Sequence, residues 1–261
     1  MTPLPHPTTL YTIAMSHYSE KIRWLLDHEK ASYREVALTP VFHVRPALLK
    51  GMRARTTVPV LQVGNTSVQD STRIIEWLAR DHGPLSTLPA AYAADIMAVE
   101  DRFDAIGKDV ARYLYFTGFE HTETILDMWT RFASPFEARV VRWSYPLIKA
   151  VFKIKLNINA AAAQRAEQRI DAALTWLEER IAQGQTYLVG DQWTVADITA
   201  ASLLAPMACP LEHPVYGAPS FRSKMLPTQA LWRDRPGLEW VRQMYARHRG
   251  PVWVQAPTGH A

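Results

Sequence analysis

The feature that most constrains this chain is a change of period along it. Up to about residue 80, apolar residues come in short β-prone runs separated by helical stretches; beyond it, nearly every apolar pattern has helical spacing. Residues 9–14, Thr9-Leu10-Tyr11-Thr12-Ile13-Ala14, form a candidate strand. Residues 19–30 read as a helix with Ile22, Leu25 and Leu26 on one face and Ser19 as N-cap. Residues 33–38 are a second strand, closed by Thr39-Pro40, and residues 41–53 a weak helix interrupted by Pro46. Residues 58–63 and 66–69 are strands on either side of the turn Gly64-Asn65. Asp70-Ser71 opens a helix carrying Ile74, Ile75, Trp77 and Leu78, which stops before Gly83-Pro84. The order β-α-β-α-β-β-α requires a parallel first pair and an antiparallel last pair, hence a small mixed sheet covered by helices.

The Pro-containing stretch at residues 83–89 is the best linker. The expected organisation is a sheet domain over 1–83, a linker over 84–90 and an all-helical domain over 91–261. Ile96, Val99, Phe103, Ile106 and Val110 mark one long helix; Ile170, Ala173, Leu174, Leu177 and Ile181 mark another, which Gly184 is placed to cap. Ile198, Ala201 and Leu204 mark a buried helix, and Leu238, Val241 and Tyr245 a terminal one after Pro236. The stretch that starts at Tyr145 and ends at Ile158 is apolar and punctuated by Lys149, Lys153 and Lys155, with period two from Phe152. Three readings fit it: a helix end and loop packed on the core, a lid over an apolar pocket, or a surface that touches a membrane.

A composition of 48% hydrophobic and 21% charged residues excludes a wholly disordered chain. No run of about 18 apolar residues predicts a membrane span, and residues 1–9 lack the pattern of a secretory signal. Cys209 is the only cysteine, so an intrachain disulfide is impossible and a reducing, cytoplasmic setting is expected. The nine histidines lack ligand spacing, so no metal site is expected. The formal charge is +4, and its densest group is Arg242, Arg247, His248 and Arg249. At a helix C-terminus that group reads as a solvated end rather than a nucleic-acid patch. Gly107-Lys108-Asp109 imitates the end of a phosphate loop but lacks the upstream glycine and the hydroxyl.

Three local features carry chemistry. Ser16-His17-Tyr18-Ser19 joins the first strand to the first helix, where free N–H groups and a hydroxyl stabilise an anion; a plain cap is the alternative. Val58-Pro59 opens the third strand, and with a cis bond it turns the Val58 backbone to the open side of the sheet, where it can pair with a bound peptide. Asp70-Ser71 opens the third helix, either as a simple N-cap or as a clamp for a carboxylate and an ammonium. In a β-α-β-α-β-β-α sheet all three meet at one end, and glutathione has the matching layout of thiol, two peptide units and γ-glutamyl zwitterion.

On these residues the chain resembles the cytosolic glutathione transferases. The segment from Leu10 through Ser16 to Arg23 resembles the first strand and helix of the serine-type classes, and Thr57-Val58-Pro59-Val60-Leu61 the family's cis-proline segment. Val68-Gln69-Asp70-Ser71-Thr72-Arg73-Ile74-Ile75 resembles its γ-glutamyl-binding turn, and residues 187–198 its buried capping-box helix. The resemblance implies a thioredoxin-like domain followed by an all-helical one, a homodimer, and glutathione as co-substrate. It implies that Ser16 activates the thiol for attack on a hydrophobic electrophile, while Val58, Asp70 and Ser71 hold the tripeptide. The tyrosine-type position falls on Thr12, so Tyr11 is not expected to act, and no cysteine stands at position 16 to support mixed-disulfide chemistry. Residues 52–57 depart from the family pattern, so glycine-carboxylate binding is assigned to His43 ahead of Arg53 or Arg55. Arg112, Tyr113, Tyr115 and Phe116 are candidates to line the second-substrate pocket. The same residues leave open a glutathione-dependent isomerase, dehalogenase or ether-cleaving enzyme, or a non-catalytic binder of apolar ligands or membrane surfaces.

Overall fold

The computed structural model describes residues 1–50 and 56–250. Four strands, β1 (Thr8–Ile13), β2 (Arg34–Leu38), β3 (Val60–Val63) and β4 (Thr66–Gln69), form one sheet in the order β2-β1-β3-β4. β1 and β2 are parallel, and the other two pairs are antiparallel. Helices α1 (His17–His28), α2 (Val44–Lys50) and α3 (Ser71–Asp81) interleave with the strands to give a thioredoxin-like arrangement. Every further element is helical among the described residues. They are α4 (Ala93–Gly118), α5 (Thr122–Thr130), α6 (Pro135–Lys155), α7 (Ala160–Ala182), α8 (Val195–Ala208), α9 (Pro219–Thr228) and α10 (Pro236–His248). α5 and α9 carry no strong periodic signal, and α6 runs unbroken through Tyr145 to Lys155, the stretch for which a helix end and loop, a lid and a membrane-touching surface all fitted the sequence. Pro146 sits inside α6, and its period-two tail belongs to the helix as far as Lys155.

α8 is the hub. All of its residues are buried, and α1, α4 and α10 surround it. Its N-terminus is closed by the capping box Thr194–Asp197, whose carboxylate accepts from the Thr194 N–H and the Leu188 N–H, both at 2.8 Å. α1 therefore has two partners: the sheet on one side and the helical part on the other. Its polar residues Glu20, Lys21 and Arg23 are buried by the second contact, and each finds an opposite charge there or in the sheet. Arg249, expected to be solvated, is one of these partners. It meets Glu20 at 2.7 Å and Asp27 at 2.8 Å and ties the end of α10 to α1. Burial alone lifts the Glu20 carboxyl, but Arg249 and Arg23 outweigh it and hold it well below the usual carboxylate range.

Candidate functional site

The register brings the three sequence features to one end of the sheet. β1 and β3 are antiparallel with Tyr11 opposite Val60, and β3 and β4 are antiparallel with Val60 opposite Gln69. The end of β1, which leads into Ser16, therefore lies beside the start of β3 and the end of β4. The Val58-Pro59 bond is cis. The Asp70 N–H donates to the Pro59 carbonyl at 3.2 Å, and the Gln69 amide donates to the Thr57 carbonyl at 2.7 Å, so the second and third features are tied together.

Ser16, not Ser19, is the N-cap of α1. Its Oγ accepts from the Ser19 N–H at 3.2 Å, and its own N–H closes a turn onto the Ile13 carbonyl at 2.9 Å. A hydroxyl that accepts in this way keeps its proton for an outside acceptor. The neighbouring His17 is buried, and burial pushes its pKa down to about 4 despite the adjacent Gly107 carbonyl and Asp104. The ring is therefore neutral near pH 7, and the positive field at Ser16 comes from the helix end. The Tyr18 hydroxyl donates to the Asp104 carbonyl on α4 at 3.0 Å. A Cβ on Gly107 would come within 2.3 Å of that hydroxyl oxygen. Gly107-Lys108-Asp109 thus lies inside a helix, and its glycine is required by the close approach of Tyr18. Thr12 is buried and donates to Glu35 at 2.6 Å, while the Tyr11 hydroxyl donates to Gln62 at 3.4 Å.

Asp70 caps α3 at φ +95°, with its carboxylate accepting from the Arg73 N–H at 3.4 Å. Ser71 is buried, and its Oγ accepts from Lys21 at 3.2 Å and donates to Asp104 at 3.4 Å. Lys21 is fully buried and also pairs with Glu100 and, at 2.8 Å, with Asp104; Thr72 donates to Glu100 at 2.7 Å. Burial raises the Glu100 carboxyl, with Lys21 opposing the rise. Lys21, Ser71 and Glu100 are buried, whereas Thr72 and Asp104 reach solvent in part, the Asp104 side chain being 32% exposed. The arrangement offers a helix N-terminus to a carboxylate and two carboxylates to an ammonium. Lys21, Thr72, Glu100 and Asp104 were missed by the sequence reading. Their signal is faint but real: Glu100 and Asp104 stand one turn apart on a helix whose inner face is mostly apolar.

His43 lies against the backbone of Thr39 and Thr56; burial lowers its pKa, and the nearby Lys155 adds to the effect. The Lys155 ammonium reaches across from the end of α6 to the Thr56 hydroxyl at 3.3 Å. A cation that the sequence does not connect with the site thus stands beside the segment leading into Val58, which is itself half-buried. Arg53 and Arg55 lie outside the described residues.

The four residues expected to line a pocket divide among different surroundings. Tyr113 packs on Trp232 at 4.8 Å, with its hydroxyl 3.5 Å from the Thr228 carbonyl. Tyr115 is buried behind Trp129, whose indole N–H donates to its hydroxyl at 3.1 Å. Arg112 pairs with Asp109 and donates to the Leu156 carbonyl at 2.7 Å, and Phe116 is exposed. The two tyrosines are core, because aromatics at helical spacing on α4 face the neighbouring helices. Beyond the end of β1, Met128 and Trp129 of α5 and Phe132 of the turn after it face Ala14, Met15 and Thr39 across a narrow crevice, and the Tyr216 hydroxyl donates to the Met15 carbonyl. Cys209 is buried at the end of α8, and burial pushes its thiol up to about 12, so it supplies no thiolate.

Comparison with known proteins decides the family. A model of the glutathione S-transferase N-terminal domain matches residues 10–86, and one of the C-terminal domain matches residues 160–239. The chain belongs to the glutathione S-transferase superfamily. No curated protein sequence matches it significantly. Among solved structures, a glutathione S-transferase from Rhodospirillum rubrum is similar over 97% of each chain, at 20% identity and TM-score 0.59. The β-etherase LigF from Sphingobium is similar over 92% of this chain and 95% of its own, at 19% identity and TM-score 0.63. A glutathione S-transferase from Methylobacillus flagellatus with glutathione bound is similar over 94% of this chain and 100% of its own, at 14% identity and TM-score 0.59. At these identities the likeness is one of fold. Neither family model covers residues 87–159, which hold α4, α5 and α6.

Proposed function

We propose that this protein is a glutathione-dependent transferase in which Ser16 activates the thiol of bound glutathione for attack on a hydrophobic electrophile. The observation that carries the reading is the convergence of Ser16, Val58 and Asp70-Ser71 at one end of the sheet. The γ-glutamyl carboxylate sits at the N-terminus of α3, with Lys21 behind Ser71, and its ammonium faces Asp70 and Asp104. The central peptide pairs with the Val58 backbone, and the glycine carboxylate lies toward Lys155 and His43. The fold shared with a relative that binds glutathione supports the same assignment.

A free cysteine-type thiol has a pKa of about 8.5 and is mostly protonated at neutral pH. Donation from the Ser16 hydroxyl and the end of α1 stabilise the thiolate, lowering that value by about one to two units. The thiolate sulfur then forms a bond to an electrophilic carbon, and the leaving group departs with its electron pair. The protein works as a homodimer in the cytoplasm; a monomeric mass by light scattering would remove the first part of that statement.

The test is isothermal titration with glutathione, paired with conjugation assays on Ser16→Ala. Binding in the micromolar-to-millimolar range is expected for both proteins. Turnover near pH 7 should fall by up to about 8- to 25-fold in the variant, because returning the thiol to about 8.5 from one to two units lower cuts its ionised share to about 3%. The gap should narrow at alkaline pH, where the thiol ionises unaided. Full activity in Ser16→Ala ends the role given to Ser16, and absence of glutathione binding ends the whole reading.

A further inference from the structure

α6 presents apolar residues on two opposite faces. Val141, Tyr145 and Ile148 are buried, and Phe152 packs on Tyr115 and Trp129. On the other side Phe136, Trp143, Leu147 and Ile154 are 67%, 85%, 68% and 80% exposed. At 3.6 residues per turn these four form one stripe along the helix. Such exposure is too high for the wall of a substrate cleft, and a row of this kind marks an interaction surface.

Charge identifies the partner. α6 carries five cations, Arg139, Arg142, Lys149, Lys153 and Lys155, and one carboxylate, Glu137. Its net charge of +4 equals the formal charge of the whole chain. Among the described residues, only Arg142 of the five pairs with a carboxylate, Glu123 at 2.9 Å. Helical geometry places Arg139, Arg142 and Lys153 on one flank, between the buried face and the exposed stripe. The stripe continues toward α2, where Phe136 meets Phe42 at 6.4 Å. α2 contains Arg45 and Lys50, has no acidic residue and exposes Leu48 and Leu49. A second copy docked face to face would set this positive charge against itself, which costs free energy. An anionic surface with an apolar interior matches both the charge and the stripe.

We propose that α6 docks on anionic phospholipid bilayers, lying in the plane of the interface with Trp143, Leu147 and Ile154 in the headgroup boundary. No helix among the described residues is long and apolar enough to cross a membrane, so the contact is peripheral. The helix lies outside both matched family segments.

The test is flotation of the full chain with vesicles of phosphatidylcholine alone, or with about one third phosphatidylglycerol. Binding only to the anionic vesicles is expected, and it should weaken as salt shortens the Debye length from about 10 Å at 0.1 M. The double variants Trp143→Ser/Ile154→Ser and Arg139→Glu/Lys153→Glu should each lower the bound fraction about tenfold or more. Their circular dichroism and melting should match the parent, because these side chains touch little of the core. Flotation with neither vesicle overturns the proposal, as does equal flotation of parent and variants. A parent mass that halves in Trp143→Ser/Ile154→Ser also overturns it and assigns the stripe to self-association.

Discussion

α8 and α6 are built from similar material and meet opposite fates. Both start with a capping box, both contain an internal proline, and both are apolar on more than one side. α8 is enclosed by α1, α4 and α10 and loses every side chain from solvent, whereas α6 packs on α5 and leaves Trp143 and Ile154 outside. Apolar residues all around a helix therefore do not by themselves dictate burial; the number of neighbours the rest of the chain supplies does. The largest effects of mutation should follow that difference. Leu204→Ala removes a fully buried side chain from α8 and should cost about 2–5 kcal/mol in urea unfolding. Leu147→Ala on α6 should stay within about 0.5 kcal/mol. Equal losses would erase the contrast between the helices.

The two caps sharpen the comparison at lower amplitude. Asp197→Ala leaves the buried N–H groups of Leu188 and Thr194 without their acceptor, and each such group costs about 1–3 kcal/mol. Ser134→Ala opens the capping box of α6 at a half-buried position, where the expected loss is about 1 kcal/mol. Paired urea titrations of the two variants measure the ratio.

What was legible in the sequence follows the same division. The sheet end was readable because turn and cap residues act locally: Gly64-Asn65, the proline at Pro59 and the pair Asp70-Ser71 declare themselves within a few positions. α8 was readable because its cap and apolar run are also local. The Lys21–Glu100–Asp104 cluster was not, since it joins residues about eighty positions apart and each charge alone looks like a solvated face. Ser19 was mistaken for the cap of α1 because the residues between it and Ser16 carry no apolar periodicity. Tyr113 and Tyr115 were assigned to a pocket because spacing reveals a face but not what covers it; Trp232 and Trp129 cover it.

The surroundings of α8 should also set the pH response, while the outer face of α6 leaves it unchanged. Burial holds His17 and His213 neutral down to about pH 4 and about pH 3, against about 6.5 in the unfolded chain, and His43 and His248 are shifted the same way. The Nδ1 of His213 accepts from the N–H groups of Val215 and Tyr216 at 3.1 and 3.0 Å, which fits the neutral form. As pH falls below about 6.5 the unfolded chain binds more protons, so stability falls by roughly 1.4 kcal/mol per unit for each titrating histidine. Asp197 acts in the opposite sense, because burial lifts its carboxyl to about 6 against the Leu188 and Thr194 donors. Its native form keeps a proton that the unfolded chain has released, which favours folding as pH falls from about 6 toward 4. Glu100 is raised as well, and four histidines against two carboxyls leave the histidines dominant. Unfolding midpoints at pH about 5 should lie below those at about 6.5. Asp197→Asn should make that slope steeper, and an unchanged slope would show that Asp197 is ionised throughout.

The smallest expected effect is the one that isolates α6. Trp143→Ser deletes the largest exposed side chain of the helix, and a surface substitution of this kind changes stability by no more than about 0.5 kcal/mol. In the unfolded chain the indole is also in water, so little transfer free energy is at stake. A measured loss near that of Leu204→Ala would mean that Trp143 is covered in solution, by another copy or another part of the chain. A loss near zero, with an unaltered pH slope, leaves the outer face of α6 free of any role in folding. A large apolar side chain kept in water without stabilising the fold has its function in what the helix touches.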